Sequence, residues 1–143
     1  MPKEFINSPE LPNWGDSFSQ VVVVHTGPTR TIYISGQVSV DADHNVVGHD
    51  LATQAELTFQ NLAKALASAG ASPEDVVRLG IYVKGYRSDQ ARIVRDAMRK
   101  IFTSDKLPAS TWLGVQSLAL DGLLIEVEAT AVVFNQSAER TEA

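Results

Sequence analysis

Ile125-Glu126-Val127-Glu128-Ala129-Thr130-Ala131 is apolar at every odd position and polar at every even one. That period of two marks a β-strand with one face in a core and the other outside it. The strand extends over about 123–134, and Asp121-Gly122 supplies the turn that separates it from another extended stretch, about Thr111 to Gln116. Upstream, Val77, Leu79, Ile81 and Val83 alternate with Val76, Arg78, Gly80 and Tyr82, which predicts a further strand with an aliphatic face. Near the N-terminus, Val21-Val22-Val23-Val24 and Thr31-Ile32-Tyr33-Ile34-Ser35 read as a hairpin joined at Gly27-Pro28, and Gln37-Val38-Ser39-Val40 continues extended into an Asx-rich turn over 41–45.

Helical spacing occupies two intervals. Asp50 can cap a helix whose stripe is Leu51, Ala55, Phe59, Leu62, Leu66 and Ala69, with Gly70 as its left-handed stop, so a helix over about 51–69 is expected. Asp89 opens a second, with Ile93, Val94, Ala97, Met98, Ile101 and Phe102 as its buried side and Lys106-Leu107-Pro108 as its end. The order β, β, helix, β, helix, β, β predicts an α+β fold, a single mixed sheet with two helices packed on one face. The other face carries Arg78, Gly80, Tyr82, Glu126, Glu128 and Thr130, a mixture suited to a subunit interface.

A length of 143 residues, 44% of them hydrophobic and 20% charged, predicts one domain over 1–143 with an ordered core at about 14–134. The first dozen residues, with Pro2, Pro9 and Pro12, and the polar tail 135–143 read as dispensable. No cysteine is present, which removes thiolate chemistry and disulfides. The absence of an apolar leader or of a run near the ~20 residues of a membrane helix points to no membrane partner and a cytoplasmic location. A net charge of −5 argues against nucleic acid. His25, His44 and His49 have no metal-ligand spacing and read as surface residues, so no metal is expected, and no phosphate loop or nucleophile elbow occurs.

From about Trp14 to Val133 the chain resembles the reactive intermediate deaminase (Rid) family. The resemblance is carried by Phe18-Ser19-Gln20, Ile34-Ser35-Gly36-Gln37, Gln54, Gln60-Asn61-Leu62, Ala69-Gly70-Ala71, Pro108-Ala109 and Ile125-Glu126-Val127-Glu128-Ala129, in order over more than a hundred residues. It implies a fold like that of the Bacillus-type chorismate mutase, a homotrimer, and a small-molecule metabolite bound in clefts between subunits. Many members hydrolyse enamines and imines to keto acids and ammonia without a cofactor.

The same resemblance implies roles for particular residues. Glu126 matches the glutamate that positions the attacking water together with a main-chain carbonyl at the position of Trp112, and Ser35-Gly36 matches a backbone pair lining the cleft. Phe18 stands where many members have tyrosine. In the family's deaminases a Pro-Ala-Arg-Ser motif supplies an arginine for the substrate carboxylate; here Pro108-Ala109-Ser110-Thr111-Trp112 puts Ser110 in its place. A hydroxyl lacks both the charge and the rigid fork of a guanidinium. Arg95, near a family asparagine at the cleft edge, is the candidate replacement cation, although Arg92, Arg95 and Arg99 also read as the solvated face of an amphipathic helix.

Each candidate also has a plain structural reading. Glu126 and Glu128, about 7 Å apart along one strand face, could be solvated or paired with Arg78. Ser35-Gly36 could be a bulge, and Trp112 ordinary packing. Three functions follow: an enamine or imine hydrolase with altered substrate class, a non-catalytic metabolite-binding trimer, and an endoribonuclease, the last disfavoured by charge.

Overall fold

A computed structural model of the chain describes residues 2–135. Strands β1 (Lys3–Ile6), β2 (Val21–Thr26) and β3 (Thr29–Val38) precede helix α1 (Leu51–Ser68); β4 (Val76–Lys84) precedes α2 (Ala91–Arg99), and β5 (Ala109–Val115) and β6 (Ile125–Phe134) follow. They form one six-stranded sheet in the order β1-β2-β3-β6-β4-β5. The β4–β5 pair is parallel and the other pairs are antiparallel. β6 therefore lies at the centre, and β4 separates it from β5 despite the short connection through Gly122.

α1 forms where its stripe and caps agree. Asp50 accepts from the Thr53 amide at 2.7 Å, and Gly70, at φ 71°, lets Ala71 N–H reach back to the Leu66 carbonyl at 2.9 Å. Phe59, Leu62, Ala65 and Leu66 are fully buried against Ile32, Leu79, Ile81, Ile125 and Val127 in one hydrophobic cluster. Each large side chain so placed contributes about 1.5–3 kcal/mol over leaving it in water. Phe102 meets Phe59 edge to face at 6.4 Å.

Four expectations need correction. The N-terminal residues are part of the sheet: β1 pairs along β2, Glu4 meets His25 at 2.8 Å, and Leu11 is buried in the core. Edge pairing of a four-residue strand leaves no periodicity to read, and the nearby prolines masked it. The alternation in β4 breaks at its start, because a bulge sets Val76 opposite Ala131 but Arg78 opposite Thr130, so Val76 is buried and Val77 is 48% exposed. α2 stops at Arg99, seven residues before Lys106, where the Arg99 guanidinium donates to the Ser104 carbonyl at 3.0 Å. Ile93 lies on its exposed side. Of the tail 135–143, Asn135 is tied to the β2–β3 turn, donating to the Gly27 and Pro28 carbonyls; the remaining residues lie outside those described.

Candidate functional site

The two faces of the sheet differ in what covers them. Leu79, Ile81, Val83, Ile125, Val127 and Ala129 point to the helices. The open face is laid out in rows by the register: Val38, Glu126, Tyr82 and Leu113 share one level, Glu128, Gly80 and Thr111 the next, and Tyr33, Thr130, Arg78 and Ala109 the third.

A cleft of about 610 Å³ opens over the first two rows. Its floor is Glu126, Glu128, Ser35, Gly36 and Val38; its walls are Trp14, Ser17 and Phe18 on one side and Ala119, Leu120 and Leu123 on the other. Four residues singled out in the sequence thus come together here: Phe18, Ser35, Gly36 and Glu126.

Ser35-Gly36 is a β-bulge, two residues of β3 set against Glu128 alone on β6. The plain and the functional readings of that pair coincide, because the bulge is what turns it into the cleft. Ser35 Oγ donates to the Ser19 carbonyl at 2.6 Å, tying the bulge to the segment bearing Phe18. Behind it a buried amide relay holds the backbone: Gln37 donates to Gln20 Oε1 at 2.7 Å and to the Ser35 carbonyl at 3.1 Å, and Gln20 donates to the Pro12 carbonyl at 2.8 Å. A Cβ at position 36 would lie 2.6 Å from Cδ of Glu126. Any other residue there would have to displace the Glu126 carboxyl group, which occupies the space.

Glu126 is half-buried, and no hydrogen-bond donor engages its carboxylate among the described residues. Burial, and then the neighbouring Glu128 carboxylate, raise its pKa above the ordinary glutamate value. Glu128 has a partner, the Tyr82 hydroxyl at 2.5 Å, and this bond chiefly raises the tyrosine's pKa. Arg78 does not pair with either acid; its guanidinium donates to Thr111 Oγ1 at 2.9 Å and lines a second, smaller cavity of about 230 Å³ beside the cleft. One of the two carboxylates is therefore fixed and the other is free.

The remaining candidates lie elsewhere in the single chain. Thr111 is on the open face beside Arg78, two strands from β6. Ser110 and Trp112 share the register positions of Leu79 and Ile81, which places them on the helix-side face of the edge strand β5, where Trp112 Nε1 donates to Ser110 Oγ at 3.0 Å and its ring packs against the core. Arg95 is exposed on α2 and lines neither cavity.

Several cleft residues were not expected from the sequence. Trp14 stacks near Phe18, centroids 6.5 Å apart, and is met edge-on at 4.5 Å by His44, whose Nε2 donates to the Asn13 carbonyl at 3.0 Å. Leu120 and Leu123 are positioned by buried Gln54 of α1, which donates to the Gly122 carbonyl at 2.8 Å and accepts from Leu124 N–H at 2.8 Å. Gln54 and Gln20 carried the family resemblance in the sequence. Their buried hydrogen bonds supply its physical basis: each fixes a loop that walls the cleft. Among the described residues no three His, Asp or Glu side chains gather as a metal site, and no helix is long and apolar enough to cross a membrane.

Residues 11–133 match the model of a family described as endoribonuclease L-PSP. The chain is 29% identical over 133 residues to a 2-iminobutanoate/2-iminopropanoate deaminase of Dermatophagoides farinae, covering 92% of this chain and 98% of that one. It is 28% identical over 131 residues to the human protein of the same name, covering 91% and 90%. Among solved structures, YyfB of Yersinia pestis, a protein of the Rid family, superposes with a TM-score of 0.70 at 36% identity, over 93% of this chain and 100% of that one. Yeast Mmf1 does so at 0.78 and 25%, over 91% and 98%. The chorismate-mutase-like sheet with two helices is the fold of these neighbours. A chain with this fold, this bulge-and-glutamate cleft and a match spanning nearly its whole described length belongs to the endoribonuclease L-PSP family, also called Rid or YjgF.

Proposed function

We propose that this protein is a cofactor-free hydrolase of reactive imines or enamines, working in a cleft completed by a neighbouring copy in a homotrimer. The observation that carries the reading is Glu126: a carboxyl group with raised pKa and no internal partner, at the floor of an apolar-walled cleft beside a bulge that leaves it room. Such a group is suited to take a proton from water and return it to a leaving amine. A water oxygen adds to the imine carbon, the C=N π electrons move to nitrogen, and Glu126 takes the water proton and passes it to that nitrogen. The C–N bond then breaks as the carbonyl forms, so a protonated imine and water give a ketone or aldehyde and ammonium.

The positions of the other residues support the trimer. Ser110, Trp112 and Arg95 cannot meet Glu126 across their own sheet, and the open face exposes Tyr33 and Leu113. A neighbour's β5 and α2, laid against this face, would bring its Ser110, Thr111, Trp112 and Arg95 to the cleft, and the partner is thus a second copy together with a small metabolite. The deaminase-named relatives support imine chemistry. The family's ribonuclease description fits less well, because two carboxylates at the cleft floor oppose a phosphate backbone. A cytoplasmic location accords with this chemistry.

Ser110 favours a second reading, a trimer that binds a metabolite without turnover, since the resemblance puts a carboxylate-binding arginine at that position. Incubation with freshly generated imines, following ammonia release by wild type and by Glu126→Ala and Ser110→Arg variants, separates the two. Hydrolysis that disappears in Glu126→Ala supports the enzyme. Ligand-raised melting temperature with no release in any arm supports the binder.

A further inference from the structure

Resting on the reading of the cleft as the substrate site, we propose that Trp14, braced by His44, sets which side chain the substrate carries: a large apolar group, an aromatic ring above all, rather than a methyl or ethyl. The cleft is divided by polarity. Its acids, Glu126 and Glu128, lie at the floor, while the walls are apolar but for Ser17, with Trp14 and Phe18 on one side and Leu120 and Leu123 on the other. An imine carbon brought to Glu126 therefore has its substituent between the walls. A methyl or ethyl there would leave most of that apolar surface in water; an aromatic ring would cover it.

The aromatic wall is built to stay in place. Asn13 Oδ1 accepts from Gly15 N–H at 2.7 Å, and the Trp14 carbonyl accepts from the amides of Ser17 and Phe18 at 2.8 and 2.9 Å. That single helical turn sets residues 14 and 18 on one side, their ring planes within 28° of each other. His44, which does not line the cleft, supports the indole from elsewhere: the two ring planes cross at 88° with centroids 4.5 Å apart, and His44 Nε2 donates to the Asn13 carbonyl at 3.0 Å. His44 holds this place in the left-handed conformation, at φ 70°, which a non-glycine residue keeps only where its surroundings fix it. Asp41 does so, its Oδ1 accepting from the amides of Asp43 and Asn45 at 2.9 Å each. Phe18 is nevertheless 43% exposed. A wall that is braced from behind and bare toward the cleft is a surface prepared for a ring, stacked on it or meeting it edge-on.

The test compares 2-oxobutanoate with 2-oxo-4-phenylbutanoate, which differ only in a terminal phenyl group, by isothermal titration calorimetry on the full-length protein. The phenyl compound should bind at least about tenfold more tightly, the low end of what an added apolar group is worth in a hydrophobic pocket. Trp14→Ala should bring the two affinities to within about twofold of each other, and Trp14→Phe should keep part of the difference. His44→Ala should lower the ratio by about twofold to fivefold through the position of the indole alone. A general loosening of the fold weakens both compounds alike and leaves the ratio where it was. Binding needs no turnover, so a Trp14-dependent preference in a protein that releases no ammonia from imines sustains this assignment and sinks the hydrolase. Glu126-dependent hydrolysis with no preference for the phenyl-bearing imine does the reverse. Equal affinities, tighter 2-oxobutanoate, no binding of either compound, or a ratio unchanged in Trp14→Ala would each overturn the assignment.

Discussion

One strand, β6, serves two regions with opposite physics. Its residues Ile125, Val127, Ala129 and Ala131 are buried against α1, while Glu126, Glu128 and Thr130, one step along the same backbone, line two cavities. The helix side is filled mainly by apolar side chains, with Phe59, Leu62 and Leu66 fully buried, and buried polar groups there such as Gln54 and Asn61 are tied to backbone carbonyls. The open side holds two carboxylates, a bulge and two glycines whose missing Cβ atoms are filled by neighbouring acids. The packing of one face is what supports a half-buried, unpartnered carboxyl group on the other.

That division is broken most severely from the helix side. Phe59→Ala should cost about 3–5 kcal/mol, the usual range for a fully buried phenylalanine, read as a fall in the urea midpoint at unchanged slope. A cost below about 1 kcal/mol would mean that the core collapses around the loss. From the cleft side, Glu126→Ala should leave the urea midpoint within about 1 kcal/mol of wild type and lower imine hydrolysis by about a hundredfold or more, the usual worth of a positioned acid–base. Full activity in that variant would remove Glu126 from the mechanism.

Gly36→Ala tests the boundary between the regions. Its added methyl displaces the Glu126 carboxyl rather than any backbone atom, so the fold should lose under about 1 kcal/mol while hydrolysis falls by about tenfold. Equal activity would show that the carboxyl has room to move aside.

The helix-side region was far more legible in the sequence than the cleft. The stripe from Leu51 to Leu66, with Asp50 and Gly70 at its ends, is local information, and α1 forms where it predicts. The alternation of β6 likewise separates its core face from its cleft face by local sequence alone. The cleft walls are assembled from segments far apart in the chain: Trp14 and Phe18 from one loop, Leu120 and Leu123 from another, the latter pinned by Gln54 across 68 and 70 residues. No period marks such positions. Glu126, Ser35 and Gly36 were found because a family pattern names them, and Glu128 was read as a surface acid because its partner, Tyr82, is set by strand pairing rather than spacing. The bulge at Val76–Arg78 is invisible for the same reason, since pairing with β6 decides which of two adjacent valines turns inward.

The smallest effect sharpens the comparison through pH. Glu126 has a folded pKa above its unfolded value, from burial first and Glu128 second. Between those two values the native state keeps a proton that the unfolded state has lost, so the folded protein loses stability as pH rises through the window. Below roughly pH 4, near the ordinary glutamate pKa, both states hold the proton and the penalty is absent. Glu126→Gln removes the titration, so its melting temperature relative to wild type should climb as pH rises from about 4 through the folded pKa and then level off. Glu128→Gln, which removes the second cause and leaves the first, should reproduce part of that climb. A pH-independent difference for Glu126→Gln would mean that the carboxylate is solvated as fully in the folded chain as in the unfolded one, and that the open face, unlike the helix side, carries no burial cost for its charge.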